Sequence, residues 1–489
     1  MNPAASSAPA WLDKVAAYPQ RTILLFSLVL LLAGNWILPL TDRDEARFGE
    51  ASREMIQRHD YVVPWFNGHW RFDKPILIYW CQAASYIVCG DNEFGARLPS
   101  ALFTTATALL LVHWGRKITG DNKTALLAGA MFVACLHVAI IGRVATADMA
   151  MVFFYALSVW SGWELTRPDQ SRRQFYWWIF YVTLALGFLA KGPEAWLPIV
   201  GMILGRALRK NSFRLPLMET LVGLIVTAAL SCLWGIPALV QTNGAYFDVG
   251  IGEHVVNRSV NVNDSHGIAG TLGFLATLPL YFVTFFVSFF PWSTRVPAAL
   301  HRWWPARRRD DVGWYLLVQG ALVFGVFSLV RTKLPHYTMP AFPLLALWFA
   351  RQIGGEGNSF TWFSQRIVAM SVFVLVLTLA GFTYARNQIL TENLWNAVKP
   401  HVQPETKVGC FGFTESSLVW KFRGVSTNLV TLGDVTLAKD FLTNAPPFIL
   451  VLPTKDLANL PDTNGQRFRV HGLDMVKFKT RDLTAIVRP

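Results

Sequence analysis

The chain has 489 residues, 53% hydrophobic and only 15% charged, with 20 Trp, 35 Phe and a mean hydropathy of +0.34. This composition excludes an ordinary soluble protein and indicates a polytopic membrane protein. A net charge of +13 would suggest nucleic-acid binding in a soluble protein. Here, however, the basic residues lie mostly in short loops between apolar segments, so membrane topology explains them better.

About eleven apolar segments approach the roughly 20 residues that a spanning helix needs. They lie at residues 22–40, 98–115, 124–141, 149–166, 174–190, 194–206, 216–240, 270–290, 312–330, 335–350 and 366–384. Because no cleavable signal sequence precedes them, we expect the first helix to remain as an anchor. The predicted fold class is an all-α polytopic membrane domain over residues 1–385, with about 11–13 transmembrane helices in all.

The loops between these segments set an orientation. With the N-terminus inside, the basic residues that lack nearby acids fall in the inner loops, as the positive-inside rule expects. These inner loops are 116–117, 167–173, 206–214, 295–309 and 351–366. The outer loops are then 41–97, 142–148, 191–194, 241–269 and 331–334. Every cluster of charged residues considered below lies in or beside an outer loop, so we expect the chemistry on one membrane face.

Two segments depart from the pattern of spanning helices. Residues 75–90 are apolar but short and contain Gln82 and Ser85. They predict an amphipathic helix in the interface, whereas a true span there would invert every later loop. From Arg386 onward, short β-like runs alternate with a helical stretch near 435–444, which predicts a small outer α/β domain over 386–489. The β-like runs are 406–413, 427–432, 448–453, 468–478 and 484–488.

The stretch 41–79 directly follows the first apolar segment and is dense in acids, arginines and aromatic residues. Asp42, Asp44 and Glu45 stand where the apolar run ends, so their carboxylates would lie at the bilayer interface. The alternative is that Thr41 caps a helix with Asp44 in its first turn, because Thr-x-x-Asp is a capping-box pattern. Later in this loop, an acid and a lysine in Arg-Phe-Asp-Lys-Pro return to the interface. The loop therefore predicts two charged clusters at one boundary.

Further outer-side motifs start or end spans. Asp148 begins the fourth span, where an acid is often a cap, although ionisable residues bordering membrane helices also mark function. Lys191 precedes Gly-Pro-Glu194, and the alternative role for this lysine is to reach the interface. In the loop after residue 241, Arg258 suits a phosphate, whereas His254 is a lone histidine and such residues are seldom metal ligands.

The last motif, Arg331-Thr-Lys333-Leu-Pro-His-Tyr337-Thr-Met-Pro, joins two spans. Two cations, a tyrosine and two prolines predict a short non-helical turn at the depth of a lipid phosphate. The alternative is that the cations only anchor a helix end. Because the positive-inside rule depletes this face of cations, phosphate binding is the better interpretation.

Together these motifs resemble the GT-C integral-membrane glycosyltransferases that use polyprenyl-phosphate sugars. The resemblance is nearest to bacterial aminoarabinose lipid A transferases and more distant to dolichyl-phosphate-mannose protein mannosyltransferases. It covers about residues 20–350 in the same order. The motifs are Asp42-Arg-Asp44-Glu45-Ala-Arg47, Phe72-Asp73-Lys74-Pro75, Thr146-Ala-Asp148, Lys191-Gly-Pro193, Glu253-His254 and Lys333-Leu-Pro-His-Tyr337.

The resemblance implies roles for particular residues. It makes Asp44 the catalytic carboxylate of the first outer loop, Arg47 its neighbouring cation and Asp148 the second acid. The predicted contacts to the donor phosphate are Lys74, Arg258, Arg331, Lys333 and Tyr337, and those to the rest of the substrate are Asp42, Glu45, Asp73, Lys191 and His254. This chain has Asp73 where the aminoarabinose transferases tend to have Glu, and the shorter acid reaches less far toward a metal or an amino sugar.

The chemistry agrees with these roles. The sugar leaves a lipid phosphate, so the site must stabilise negative charge growing on that group, as cations and a tyrosine hydroxyl can. An acid near the anomeric carbon could position or deprotonate the nucleophile, and attack opposite the phosphate would invert that carbon. No cofactor is required, although a divalent metal held by Asp73 and His254 stays open.

We therefore expect transfer of a sugar from undecaprenyl phosphate to lipid A or another envelope glycolipid. The reaction would take place on the periplasmic side of the bacterial inner membrane. One alternative is a protein O-glycosyltransferase. The other is a lipid-sugar transporter or flippase, which is less favoured because transporters commonly bind substrate at the midplane rather than on one face.

Overall fold

A computed structural model describes residues 10–41, 43–168, 170–208, 216–257, 270–353, 357–425, 428–461 and 464–489. The α-helices are α1 (Ala10–Ala17), α2 (Pro19–Leu32), α3 (Asp44–Arg58), α4 (Leu77–Cys89), α5 (Glu93–Thr119), α6 (Asn122–Val133), α7 (Leu136–Ile141), α8 (Asp148–Thr166), α9 (Arg173–Lys191), α10 (Leu197–Leu208), α11 (Leu217–Gln241), α12 (Gly270–Thr277), α13 (Leu280–Ser288), α14 (Val296–Ala306), α15 (Asp311–Leu329), α16 (Phe342–Ile353), α17 (Gly357–Val376), α18 (Phe382–Arg386), α19 (Leu390–Val398), α20 (Ser416–Phe422) and α21 (Val435–Phe441).

The chain forms two compact units. The first unit comprises Met1–Ala33, Phe72–Ile78 and Pro99–Leu375, and the second comprises Gly34–Arg71, Tyr79–Leu98 and Val376–Pro489. The strands are β1 (Trp65–Phe66), β2 (His69–Trp70), β3 (Lys407–Phe411), β4 (Val430–Leu432), β5 (Phe448–Pro453), β6 (Gln466–Asp474) and β7 (Lys479–Arg488). All of them belong to the second unit.

The predicted spans coincide with helices or with pairs of consecutive helical segments. Among the described residues, four helices are individually long and apolar enough to cross a membrane, namely Glu93–Thr119, Leu217–Gln241, Asp311–Leu329 and Phe360–Arg386. A fifth crossing arises if the pair Gly273–Ser288 and Trp292–Ala306, which is bent by 104°, counts as one broken span. The chain is therefore a multi-pass membrane protein in which many apolar segments are short or interrupted.

The first predicted span was too long. We expected it to reach Leu40, but α2 ends at Leu32. Gly34 follows with φ +78°, a left-handed conformation that a right-handed helix cannot continue through. The interval 295–309, predicted as an inner loop, contains the helix Val296–Ala306.

The core of the first unit is built from large side chains that packing removes entirely from solvent. Trp114, Phe132 and Trp292 have no exposed surface, and Tyr155 and Phe180 each expose 1%. Burial of one such side chain stabilises the fold by roughly 1.5–3 kcal/mol. These helices form a rigid frame for the loops at their ends.

The predicted α/β region is confirmed as a five-stranded sheet in the order β4-β3-β5-β7-β6. β3 pairs in parallel with β4 and β5, while β7 is antiparallel to β5 and β6. All six residues of β5 are buried. Its side chains alternate between two cores, with Ile449 and Val451 packing with α19 and α20, and Leu450 packing with α21. Helices therefore cover both faces of the sheet, which explains its continuous apolar strand.

The second unit also includes part of the first outer loop. Asn67 and Gly68 have φ values of +52° and +78° and connect β1 to β2, as in a type I′ hairpin. Asn67 exchanges two hydrogen bonds with the backbone of Leu429, at 2.8 and 2.7 Å. The carboxylate of Glu54 accepts from the backbone N–H groups of Asn67 and Gly68. This loop is therefore a folded element of the second unit.

Candidate active site

The centre of the candidate site in the first unit is an ion pair between two helix ends. Asp148 is the first residue of α8 and Lys191 is the last residue of α9. Lys191 Nζ lies 2.8 Å from Asp148 Oδ1 and 3.4 Å from Glu194 Oε1. The Asp148 and Lys191 side chains expose only 10% and 8% of their surface. Helix dipoles favour an acid at a helix start and a cation at a helix end, so the local fields stabilise both charges.

Local sequence fixes this geometry. Gly192 has φ +117°, which ends α9, and Pro193 starts the 3-10 helix Pro193–Trp196 that carries Glu194 back to the lysine. Thr146 Oγ1 donates to Asp148 Oδ2 at 2.7 Å, so the second carboxylate oxygen is also held.

Hydrogen bonds from Ser100 and Arg143 hold the loop before Asp148 in place. Ser100 Oγ donates to the carbonyl of Thr146 at 3.3 Å. The buried guanidinium of Arg143 donates to the carbonyl oxygens of Ala33, at 2.8 Å, and Leu30. Arg143 therefore holds the loop against the end of α2.

The 3-10 helix Pro335–Ala341 completes the cluster. His336 Nε2 lies 3.8 Å from Asp148 Oδ1, and Lys191 Nζ lies 5.1 Å from the centre of the Tyr337 ring, within cation–π range. The His336 and Tyr337 rings are themselves edge to face at 5.0 Å. Three motifs far apart in sequence thus meet at one point.

Two cations precede this 3-10 helix. Lys333 Nζ donates to the carbonyl of Val330 at 2.8 Å and lies 4.8 Å from the centre of the Phe274 ring. The guanidinium of Arg331 approaches the same ring at 5.8 Å. The burial of Lys333 lowers the pKa of its ammonium below the ordinary value. Tyr281 fixes the turn, because its hydroxyl donates to the carbonyl of Leu334 at 3.1 Å.

The segment with Asp73 and Lys74 belongs to the first unit and is positioned by Tyr246. The Tyr246 hydroxyl donates to the carbonyl of Lys74 at 2.9 Å, and its ring packs edge to face on Phe72 at 5.3 Å. Both Asp73 and Lys74 are half-buried. The roles assigned to their side chains stay predictions.

Three predicted site residues lie outside the described part of the chain: Asp42, Arg258 and the side chain of His254. Within the described ranges, no group of three or more His, Cys, Asp or Glu side chains is placed to hold a metal ion. The suggested metal contact of Asp73 and His254 therefore stays a prediction.

In the second unit, the carboxylate of Glu45 is held by other protein side chains. Its two carboxylate oxygens accept from Arg97 Nε and Nη2, each at 2.8 Å. Arg97 also donates to three backbone carbonyls between Asn35 and Pro39. Because protein donors occupy both oxygens, Glu45 holds the start of α3, and its contact with substrate stays a prediction.

Asp44 and Arg47 are more accessible. Asp44 is exposed at the first residue of α3, and the Arg47 guanidinium, which is half-buried, donates to Ser416 Oγ at 2.9 Å. The capping box proposed for Thr41 is wrong, because Arg43 occupies the N-cap position without a side-chain cap. Instead, the Thr41 N–H and hydroxyl both donate to Glu45.

Sequence reasoning gave no role to Thr146, Glu194 or His336, which complete the cluster around Asp148 and Lys191. Each of the three lies within a motif already noted in the sequence, so the signal was their position beside an outer-face charge. A lone histidine or threonine carries too little information to be selected without the packing.

The fold and this cluster define a multi-pass membrane protein of GT-C architecture. The structure is similar to two crystal structures of ArnT from Cupriavidus metallidurans. The apo form has a TM-score of 0.77 at 17% identity and covers 98% of both chains. The form bound to undecaprenyl phosphate has a TM-score of 0.74 at 16% identity, over 95% of this chain and 97% of the other. At these identities the similarity establishes the fold.

Sequence comparisons show which proteins this chain is similar to. The family described as dolichyl-phosphate-mannose-protein mannosyltransferase matches residues 73–234. An undecaprenyl phosphate-alpha-4-amino-4-deoxy-L-arabinose arabinosyl transferase of Pectobacterium atrosepticum is 29% identical over 67% of this chain and 58% of its own length. An uncharacterized protein of Aquifex aeolicus is 30% identical over 66% of this chain and 71% of its own length. The chain is therefore similar in sequence to these arabinosyl transferases over about two thirds of its length, and residues 73–234 match the mannosyltransferase family. It spans about 58% of the length of the arabinosyl transferase it matches.

Proposed function

We propose that this protein transfers a sugar from a polyprenyl phosphate, undecaprenyl phosphate in particular, to an envelope acceptor at the membrane surface. The observation that carries the proposal is the buried Asp148–Lys191 pair with His336 and Tyr337 beside it. Buried, paired charges at the end of a membrane helix bundle are costly, and such residues tend to mark function. The named activity of the arabinosyl transferases supports the same reaction.

The charges divide the site into two parts. Lys191 is opposed by both Asp148 and Glu194, so this group of three carries a net negative charge when all are ionised. A negative group repels a phosphate but suits the positive character that develops at the anomeric carbon. The donor phosphate would therefore be held by Arg331, Lys333 and the Tyr337 hydroxyl, with Lys74 and Arg258 contributing from the other loops.

The carboxylates act on the acceptor and on the anomeric carbon. Asp44, with Arg47 one turn along α3, positions or deprotonates the acceptor nucleophile, and Asp148 is the second acid. The bond from the anomeric carbon to the phosphate oxygen breaks as the acceptor oxygen attacks from the opposite side, so the anomeric centre is inverted. The leaving electron pair stays on the lipid phosphate, where the cations stabilise it.

The relatives' names favour a pentosyl donor. As acceptor we propose lipid A or another glycolipid, on the side of the bacterial inner membrane that the basic inner loops assign to the periplasm. Mass spectrometry of lipid A, envelope glycolipids and protein O-glycans from a deletion strain tests this proposal. We expect one glycolipid to lose a pentose, and an unchanged set of all three classes would contradict the proposal. Loss of an O-glycan would favour the second candidate, a protein O-glycosyltransferase, which the mannosyltransferase family match supports.

Orientation and metal dependence have separate tests. A cysteine introduced at position 263 should react with an impermeant reagent in intact cells, whereas one at position 308 should not, and labelling of 308 would contradict the orientation. Because Arg331 and Lys333 supply the positive charge, we propose that transfer requires no divalent metal. Activity should persist in excess chelator, and a loss that Mg²⁺ or Mn²⁺ restores would contradict this part.

A further inference from the structure

A cavity of about 190 Å³ in the first unit lies away from the cluster around Asp148. Its lining includes Arg295, Arg302 and Gln352, with a floor of aromatic and aliphatic side chains that includes Phe349 and Phe363. The cavity adjoins the C-terminal end of α16, the helix whose N-terminal end follows the 3-10 helix with His336. Since α16 has 12 residues, the two ends are about 18 Å apart along the helix axis.

The sequence of α14 explains the shape of this cavity. Arg295, Ala298, Ala299 and Arg302 are spaced at intervals that place side chains on one side of a helix. Two alanines between two arginines leave a notch with a guanidinium at each end. The notch is far larger than the roughly 15 Å³ that one water molecule requires. It therefore has room for a polar group larger than water.

Stacking contacts concentrate positive charge beside the mouth of the cavity. The guanidinium of Arg295 lies 4.6 Å from the centre of the Trp362 ring, and that of Arg366 lies 4.1 Å from the same ring. Cation–π stacking orients a planar guanidinium while leaving its N–H groups free to donate at its edge. Arg295 and Arg302 line the cavity together with Gln352, and guanidinium groups match the oxygens of a phosphate better than they match a neutral ligand.

Helix α14 has the features of a helix that lies in a membrane interface. Ala299 and Trp303 are buried, whereas Leu300 and Trp304 expose 40% and 58% of their surface. The helix pair that includes α14 is bent by 104°, so if the first arm crosses the membrane, α14 runs almost in its plane. Exposed Trp and Leu beside arginines are typical of helices at the boundary between lipid head groups and acyl chains.

We propose that this cavity binds the phosphate group of an anionic membrane phospholipid. Arg295 and Arg302 donate to the phosphate oxygens, Gln352 donates to the glycerol side, and the exposed apolar side chains of α14 contact the acyl chains. This inference is independent of the sugar transfer, because it uses none of the residues of the candidate active site. Basic pockets between helices are a known way in which membrane proteins hold anionic head groups.

Native mass spectrometry of the purified full-length protein with phosphatidylglycerol tests the proposal, with phosphatidylcholine as the zwitterionic comparison. Arg295→Gln/Arg302→Gln should weaken phosphatidylglycerol binding by about tenfold or more, the effect expected for losing charge-assisted contacts. Ala298→Trp should do the same by filling the notch without changing charge. The matched control Arg308→Gln/Arg309→Gln removes two exposed arginines from the same predicted inner loop, 295–309, that do not line the cavity. It should change binding by no more than about twofold.

Three results would overturn the proposal. The first is unchanged phosphatidylglycerol binding in Arg295→Gln/Arg302→Gln. The melting temperature of this variant is measured in parallel, so that a loss of binding is not confused with misfolding. The second is an equal loss in the control, which would show general charge attraction. The third is full displacement of the lipid by millimolar inorganic phosphate, which would show a site for free phosphate instead.

Discussion

Lys191 Nζ and Asp148 Oδ1 lie 2.8 Å apart, at the end of α9 and the start of α8. Because the contact joins the start of α8 to the end of α9, these two helices are antiparallel neighbours. Glu194 belongs to the same group of charges. A buried pair of this kind contributes little net stability, because desolvation offsets the attraction, but breaking it exposes the full cost of the remaining charge. The pair therefore keeps its charges for a purpose other than stability.

The first prediction concerns this coupling. Lys191→Met should destabilise the protein by roughly 3–5 kcal/mol, because Asp148 keeps a buried charge with no ammonium beside it. Asp148→Asn/Lys191→Met should be more stable than Lys191→Met alone. Denaturant titration in detergent of the wild type, Lys191→Met, Asp148→Asn and the double variant measures both effects, and strictly additive free energies would show that the two residues are not coupled.

The second prediction separates the two properties of Tyr337. Tyr337→Phe keeps the ring that faces Lys191 and should leave the melting temperature unchanged. If its hydroxyl contacts the donor phosphate, transfer should fall by about tenfold, the value of one hydrogen bond to a charged group. Tyr337→Leu removes the ring as well and should lower both activity and stability. Wild-type turnover by Tyr337→Phe would remove the hydroxyl from the phosphate site.

The sequence predicts which segments are helices and strands well, because apolar length and alternation reflect burial directly. It failed where one residue overrides the pattern, as Gly34 does by ending α2 inside an apolar run. The helix Val296–Ala306 was missed because Arg302 within it and the arginines on both sides of it are typical of a loop, although its apolar positions follow helical spacing. Composition cannot distinguish a polar loop from a helix that lies in the interface.

The candidate site was predictable only in part. The sequence placed Asp148, Lys191 and Tyr337 on one face, and the structure brings them together. Which outer loops touch depends on helix packing, so the approach of His336 to Asp148 could not be anticipated. Glu45 shows the opposite case, since its predicted interfacial carboxylate pairs with Arg97, a distant residue that no local pattern connects to it.

The third prediction uses pH. Asp310 caps α15 through Gly313 N and accepts from Trp303 and Arg351. Burial alone would raise its pKa, but the hydrogen bonds and charge of Arg351 outweigh burial and lower the pKa. A lowered pKa gives stability that is complete above about pH 4 and is lost as pH falls through the folded-state value.

Asp310→Asn should therefore lower the free energy of unfolding at neutral pH by about 1–3 kcal/mol and reduce the dependence of the melting temperature on pH below 4. Asp440→Asn is the matched control, because Asp440 is an exposed acid. Thermal unfolding of both variants in detergent between pH 3 and pH 7 provides the measurement. Parallel curves for Asp310→Asn and the wild type would show that this carboxylate does not control acid stability.

The central claim is that this protein transfers a sugar from polyprenyl phosphate at the membrane surface and that Asp44 is its main catalytic carboxylate. Asp44 is exposed at the start of α3, so Asp44→Asn should cost little stability. The decisive measurement is the rate at which purified protein consumes undecaprenyl phosphate-linked aminoarabinose in the presence of lipid A. We predict that the wild type and Asp440→Asn transfer the sugar, and that Asp44→Asn falls by about a hundredfold or more, as for the loss of a general base. Near-normal transfer by both Asp44→Asn and Asp148→Asn would contradict the account.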